Sequence, residues 1–400
     1  MGRRVFLMVL DSVGIGEAPD AEHFDDVGCD TFGTCVRSGR ICVPNLERLG
    51  IFQIDGTSFK SGEEKTDSNT NKYGQKIIGC YGKMQEQSAG KDTTMGHWEI
   101  AGVISPKPMP TYPEGFPEDI LDEFEKETGR GILCNKPYSG TAVIRDYGQE
   151  HVETGKLIVY TSVDSVFQVA AHEDIVPLEE LYEDCRKARK ILQGEHGVGR
   201  VIARPFVGEY PDYERTVNRH DFSLEPPKKT VLDAITESGL ATIGVGKISD
   251  IFAGRGIQKS YPNRGNDRNM EQVLEIMDED FEGLCFINLV DFDMIYGHRN
   301  DVEGYTDALN AVDVQIGQMM KKMRPGDLLM ITADHGCDPG FKGTDHSREY
   351  TPCLCYGDML RQGVNLGTRK SFADIAQTVA QYLGVDYRGD GESFYSILVK

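Results

Sequence analysis

Short unbroken apolar runs alternate along the chain with stretches whose apolar residues recur every three or four positions. That is the mark of a parallel sheet covered by helices on both faces, so the fold class is α/β. The clearest strands are Val5 to Leu10, Ala241 to Val245, Leu284 to Val290 and Asp327 to Thr332. Runs without polar alternation suit parallel strands that have no solvent face. The clearest helix runs from about Val302 to Met323, where Tyr305, Ala308, Leu309, Val312, Ile316, Met319, Met320 and Met323 form one stripe and Pro325 with Gly326 ends it. A second helix, Asp374 to Leu383, stops at Gly384. In Thr-Pro-Cys353-Leu-Cys355-Tyr the cysteines sit at strand spacing, which predicts two thiols on one face of a buried strand rather than a metal pair.

The middle of the chain has another pattern. Between the proline-rich stretch Ser105 to Pro117 and Glu225-Pro226-Pro227 lie helical patterns at Glu118 to Thr128 and Leu178 to Leu192, and strand patterns at Lys156 to Thr161 and Arg200 to Val207. We read residues 105–225 as a smaller α+β domain inserted between core segments 1–104 and 226–400, with Pro/Gly-rich hinges. The polar tract from Lys60 to Lys72 is expected to be a loop.

Charge narrows the function. With 43 basic and 64 acidic side chains among 400 residues, the formal net charge is −21. Such a balance argues against nucleic-acid and anionic-membrane partners, and a phosphorylated substrate would need local positive charge. The ten cysteines contain no CxxC pair, which fits reduced thiols and a cytoplasmic setting. Met-Gly-Arg-Arg followed by apolar residues imitates a signal peptide, but the run ends at Leu10 and Asp11 follows at once. Phe6 stands where myristoylation needs Ser or Thr, and no apolar run is long enough to span a membrane. No obligate protein partner is evident.

Three strand exits deliver acidic groups, where open α/β sheets place their sites. Asp11 follows the first strand, Asp293 lies in Asp-Phe-Asp293-Met-Ile-Tyr-Gly-His298, and Asp334 lies in Thr-Ala-Asp334-His335-Gly, with His346 in Gly-Thr-Asp-His346-Ser-Arg-Glu. These six side chains are about what two cations need when water or substrate fills the other positions. Mixed carboxylate and imidazole ligands suit Mn²⁺ or Zn²⁺ better than Mg²⁺ alone. The other six histidines, at positions 23, 97, 151, 172, 196 and 220, form no comparable set, and solvent or core roles suit most of them. Two nucleotide motifs fail: Pro19 spoils a dinucleotide loop at Gly14 and Gly16, and Ala241 with Ile248 spoils a P-loop at Gly244-Val-Gly-Lys247. The segment Gly90-Lys-Asp-Thr93-Thr94-Met-Gly-His-Trp-Glu99 reads as a helix N-terminus, and a metal-bound threonine there could attack a phosphoryl group.

In this order, those motifs resemble the bacterial phosphopentomutases of the alkaline phosphatase superfamily, from near the first residue to the last ninety. The resemblance implies an alkaline-phosphatase-like core with a mostly parallel sheet and a mobile cap formed by the insert. It also implies two Mn²⁺ ions, with other divalent metals as alternatives. Asp293, His298 and His346 would hold one ion and Asp11, Asp334 and His335 the other, beside a phosphorylated threonine. The family's loop usually reads Lys-Asp-Thr-x-Thr-Gly-His-Trp-Glu; Met95 replaces its second threonine, and counting back from Gly96 assigns the nucleophile to Thr93. The implied reaction interconverts ribose 1-phosphate and ribose 5-phosphate, and the 2-deoxyribose pair, with a sugar bisphosphate as intermediate and activator. Asp164 resembles the family's sugar-binding cap aspartate, and Arg204, Arg215 and Lys247 are candidates for the distal phosphate. The competing readings are a phosphatase or phosphodiesterase on the same core, a cofactor-independent phosphoglycerate mutase, and a noncatalytic metal-binding protein.

Overall fold

The computed structural model describes residues 2–60, 70 and 75–400. The tract from Lys60 to Lys72, expected to be a loop, lies outside them except for Lys60 and Thr70. The chain divides into two compact units, one formed by Met1–Lys107 and Pro226–Lys400, the other by Pro108–Glu225.

The first unit is built on an eight-stranded sheet in the order Lys259–Pro262, Ala241–Gly246, Gly283–Leu289, Arg4–Leu10, Asp327–Thr332, Thr351–Tyr356, Cys80–Met84, Val364–Arg369. The first five run parallel, Thr351–Tyr356 is antiparallel to both neighbours, and Val364–Arg369 is parallel to Cys80–Met84. The mostly parallel α/β core implied by the apolar runs is present. Every residue of Arg4–Leu10, Gly283–Leu289 and Asp327–Thr332 is buried, which is why these segments carry no polar alternation. Phe6, Met8 and Leu10 join one apolar cluster with Tyr305, Leu309, Val312, Ile316 and Met319 of helix Val302–Lys322. The alternate residues Val5, Leu7 and Val9 face the other way, and helix Asp374–Leu383 packs against the same strand. Cys353 and Cys355 are buried on Thr351–Tyr356.

Arg4 and Asp327 stand opposite each other at the start of adjacent strands. They form a buried two-pronged pair, Nε to Oδ1 at 2.8 Å and Nη2 to Oδ2 at 2.7 Å, while Nη1 donates to the Met277 and Glu279 carbonyls. Asp327→Ala strips a buried cation of its counter-charge and is expected to cost about 3–5 kcal/mol. The measurement is the urea unfolding midpoint, which should fall at constant slope; an unmoved midpoint would contradict this account.

The second unit holds strands Ile132–Pro137, Leu157–Thr161, Val166–His172, Arg200–Val207 and Glu214–Arg215, with His220–Ser223 also paired to Arg200–Val207. One face of this sheet, through Leu157, Val159 and Phe167, packs on Ile120 and Phe124 of helix Glu118–Thr128 and on Leu181 and Cys185 of helix Leu178–Ile191. The other, through Ile158, Tyr160 and Phe206, packs on Val143 and Ile144 of helix Gly140–Thr154. That helix escapes the sequence pattern because Gly148 interrupts its apolar stripe. The glycine is needed there, since a Cβ would stand 2.6 Å from the Tyr213 ring. Ser139 caps it by accepting from the Ala142 amide, and Gly155 closes it in the left-handed region.

Candidate active site

Three neighbouring parallel strands bring the three carboxylates together. Asp11 follows Arg4–Leu10, Asp334 comes two residues after Asp327–Thr332, and Asp293 lies in the helical turn Phe292–Tyr296 beyond Gly283–Leu289. From Asp293 to His298 the chain follows this turn of π-helix and then a 3₁₀ turn, Gly297–Arg299. The His335 Nε2 lies 3.6 Å from Asp11 Oδ1 and 3.3 Å from Asp334 Oδ2. Asp293 stands between two histidines, its Oδ1 3.3 Å from His346 Nε2 and its Oδ2 3.2 Å from His298 Nε2. The His335 and His346 rings stack with centroids 4.0 Å apart, which joins the two halves of the cluster.

Hydrogen bonds leave one side of each ligand free. The Nδ1 of His298, His335 and His346 donates to the carbonyls of Thr344, Gly336 and Lys91 respectively, at 2.6, 3.0 and 3.0 Å. This fixes the tautomer that presents the Nε2 lone pair inward. Asn288 Nδ2 donates to Asp11 Oδ2 at 2.6 Å, and the Ser12 amide to Asp334 Oδ1 at 3.2 Å. What remains, buried and without a hydrogen-bond partner, includes Asp11 Oδ1, Asp334 Oδ2, Asp293 Oδ1 and His346 Nε2. Orphaned lone pairs converging from a carboxylate and imidazole set are what divalent ions satisfy. With one ligand atom per residue, Asp11, Asp334 and His335 lie within 4.8 Å of one another, as do Asp293, His335 and His346, and Asp293, His298 and Cys337. The groups therefore share Asp293 and His335 instead of dividing the six residues cleanly in two.

Without cations, the buried charges of the cluster shift one another in opposite directions. Burial, then the charges of Asp334 and Asp293, push the Asp11 carboxyl well above the carboxylate range. Burial also opposes ionisation of Asp293, but His346 and His298 outweigh it and hold this carboxyl well below its usual value. Burial lowers His335 to about 4, whereas at His346 the Asp293 charge overcomes burial and raises the imidazole to about 10.

Thr93 opens helix Thr93–Ile100, whose N-cap Asp92 accepts from the Thr94 and Met95 amides. The Thr93 Oγ1 lies 3.0 Å from His335 Nε2. The Gly-His-Trp-Glu motif explains how that hydroxyl is held. Gly96 lets the helix touch the strand exit, because a Cβ there would meet the Asp334 carbonyl oxygen at 2.4 Å. His97 is fully buried, with Nδ1 2.8 Å from the Thr93 carbonyl and 3.1 Å from Asp334 Oδ2. Trp98 donates to the Ile251 carbonyl, and Glu99 accepts from the Gln87, Ser88 and Phe372 amides and from the Ser88 and Ser371 hydroxyls.

A model of the Metalloenzyme superfamily matches residues 3–387. Leishmania mexicana phosphoglycerate mutase, a solved structure, aligns with 100% of this chain and 98% of its own at 14% identity and a TM-score of 0.46. The phosphopentomutase of Lachnoclostridium phytofermentans is 55% identical over 398 residues, 100% of each chain, and that of Carboxydothermus hydrogenoformans is 52% identical over 399 residues with the same coverage. This chain belongs to the phosphopentomutases. As a phosphopentomutase-family protein it is a mutase, an isomerase in a superfamily of metal-dependent enzymes. No helix among the described residues is long and apolar enough to cross a membrane.

The remaining phosphopentomutase candidates are spread over both units. Lys247 follows strand Ala241–Gly246 in the first unit, and its positive charge acts on Asp11. In the second unit Arg204 and Arg215 line a cavity of about 510 Å³ together with Thr141, Tyr213 and Arg219. Asp164 is exposed in the turn between Leu157–Thr161 and Val166–His172 and does not line that cavity. Sequence reading missed three residues. Arg219 carries no motif that marks it. Asn288 was signalled by a lone amide inside an apolar strand, and His97 by its place one helical turn after Thr93. His97 is buried, as a core histidine would be, and its ring also meets Asp334.

Proposed function

We propose that this enzyme interconverts α-D-ribose 1-phosphate and D-ribose 5-phosphate, and the 2-deoxyribose pair, through a phosphothreonine at Thr93 and a sugar bisphosphate that also serves as activator, using two Mn²⁺ ions in the cytoplasm. The observation that carries this reading is the Thr93 hydroxyl 3.0 Å from His335 Nε2, at the point where the free lone pairs of Asp11 and Asp334 converge. Bound at Asp11, Asp293, His298, Asp334, His335 and His346, divalent ions would acidify a hydroxyl and offset phosphoryl charge.

The chain's own residues supply the rest. Phosphorylated Thr93 gives its phosphoryl group to a sugar hydroxyl: the Thr93 O–P bond breaks, the sugar O–P bond forms, and the hydroxyl proton ends on the freed Thr93 oxygen. In the return step the other sugar O–P bond breaks, the Thr93 O–P bond re-forms, and the Thr93 proton ends on the freed sugar oxygen. The helix N-terminus at Thr93 favours the anionic group. Arg204, Arg215 and Arg219 give the cap cavity three cations for a phosphate, Asp164 would accept from a sugar hydroxyl, and Lys247 would add a point charge in the core.

Ribose 1-phosphate incubated with the enzyme and Mn²⁺ should yield ribose 5-phosphate with little free phosphate, followed by paired assays of the sugar phosphate and of inorganic phosphate. Stoichiometric phosphate release would replace this reading with a phosphatase, and turnover of 3-phosphoglycerate with a phosphoglycerate mutase.

A further inference from the structure

We infer that Cys337 gives the Asp293 end of the site a sulfur ligand, so that a thiophilic divalent ion such as Zn²⁺ or Cd²⁺ is held there by Asp293, His298 and the Cys337 thiolate. This rests on the metal-site reading above and extends it to a residue and an ion class outside that reading. The ligand atoms of these three residues lie within 4.8 Å of one another. The Cys337 backbone is pinned, its amide donating to the Ser12 carbonyl at 3.1 Å and to Thr31 Oγ1 at 3.2 Å. Its buried Sγ donates to the Asp345 carbonyl at 3.6 Å. Gly297 leaves the sulfur its room, because a Cβ there would stand 2.8 Å from Sγ. Asp293, with a side chain only 10% exposed, keeps Oδ1 without a hydrogen-bond partner.

Ligand softness sets the consequence. Mn²⁺ is served by carboxylate and imidazole, whereas thiolate favours Zn²⁺ and Cd²⁺, and three protein ligands with an open fourth position are a common zinc arrangement. On binding, the thiol proton passes to solvent and the thiolate lone pair goes to the ion. A soft ion placed here takes Asp293 and His298 away from Mn²⁺ and therefore inhibits in competition with it.

The test uses full-length enzyme stripped by chelation and titrated with Cd²⁺, following the thiolate-to-cadmium charge-transfer absorption in wild type, Cys337→Ser and Cys337→Ala. Mn²⁺ is titrated separately by calorimetry, and far-UV circular dichroism checks folding. We expect the absorption in wild type alone. The Cd²⁺ dissociation constant should rise by about tenfold or more in both variants, at least the cost of losing an outer partner. The Mn²⁺ constant should stay within about threefold, since thiolate is a poor ligand for it. Absorption that persists in the variants, or Cd²⁺ binding to wild type without it, would overturn the inference while leaving the metal-site reading intact. Failure of wild type to bind either ion would overturn both.

Discussion

Thr93→Ala is expected to slow conversion of ribose 1-phosphate by about 10⁴-fold or more, the scale on which removal of a covalent nucleophile falls. Thr94→Ala should stay within about tenfold of wild type. The difference follows from position. The hydroxyl that meets His335 belongs to Thr93, whereas the amide contact of Thr94 to Asp92 survives substitution by alanine. Neither change removes the N-cap, so both variants should fold. Mass spectrometry after incubation with a sugar bisphosphate should find phosphate on Thr93 in the wild type. Phosphate on Thr94, or on neither threonine, would overturn the assignment.

Chelation of divalent ions should abolish turnover and lower the melting temperature, and added Mn²⁺ should restore both. Asp11 and Asp334 are completely buried and Asp293 nearly so, with orphaned oxygens on all three. Such a cluster is costly without cations to satisfy it. At an ion concentration a hundredfold above the dissociation constant, binding adds about 2.7 kcal/mol to the folded state. Thermal melts across a Mn²⁺ series measure the effect, and a melting temperature indifferent to both chelator and Mn²⁺ would sink the metal assignment. The formal charge of −21 gains a different meaning here, since part of the acidic excess is proposed as ligand and two divalent ions bound there would reverse its sign locally.

The core was legible in the sequence because its parallel strands are buried on both faces, so Arg4–Leu10 and Asp327–Thr332 read as unbroken apolar runs. The candidate ligands were legible for a related reason: each carboxylate comes soon after such a run. What stayed hidden depends on tertiary approach. His97 reaches Asp334 only because Gly96 lets a helix touch a strand exit, and Cys337 reaches Asp293 only because Gly297 leaves its sulfur space. In the second unit, the cut that Gly148 makes in an apolar stripe answers to the ring of Tyr213, some sixty residues away in sequence.

The strand order has a consequence for how the chain acquires its fold during synthesis. Arg4–Leu10 emerges first, yet its sheet neighbours are Gly283–Leu289 and Asp327–Thr332. Closing contacts of such sequence separation is slow, and an unpaired apolar strand is prone to aggregation in the interval. The inserted unit, Pro108–Glu225, is continuous in sequence and can fold from its own contacts while the ribosome is still making the partners of the first strand. The insert can thus be complete before the eight-stranded sheet closes.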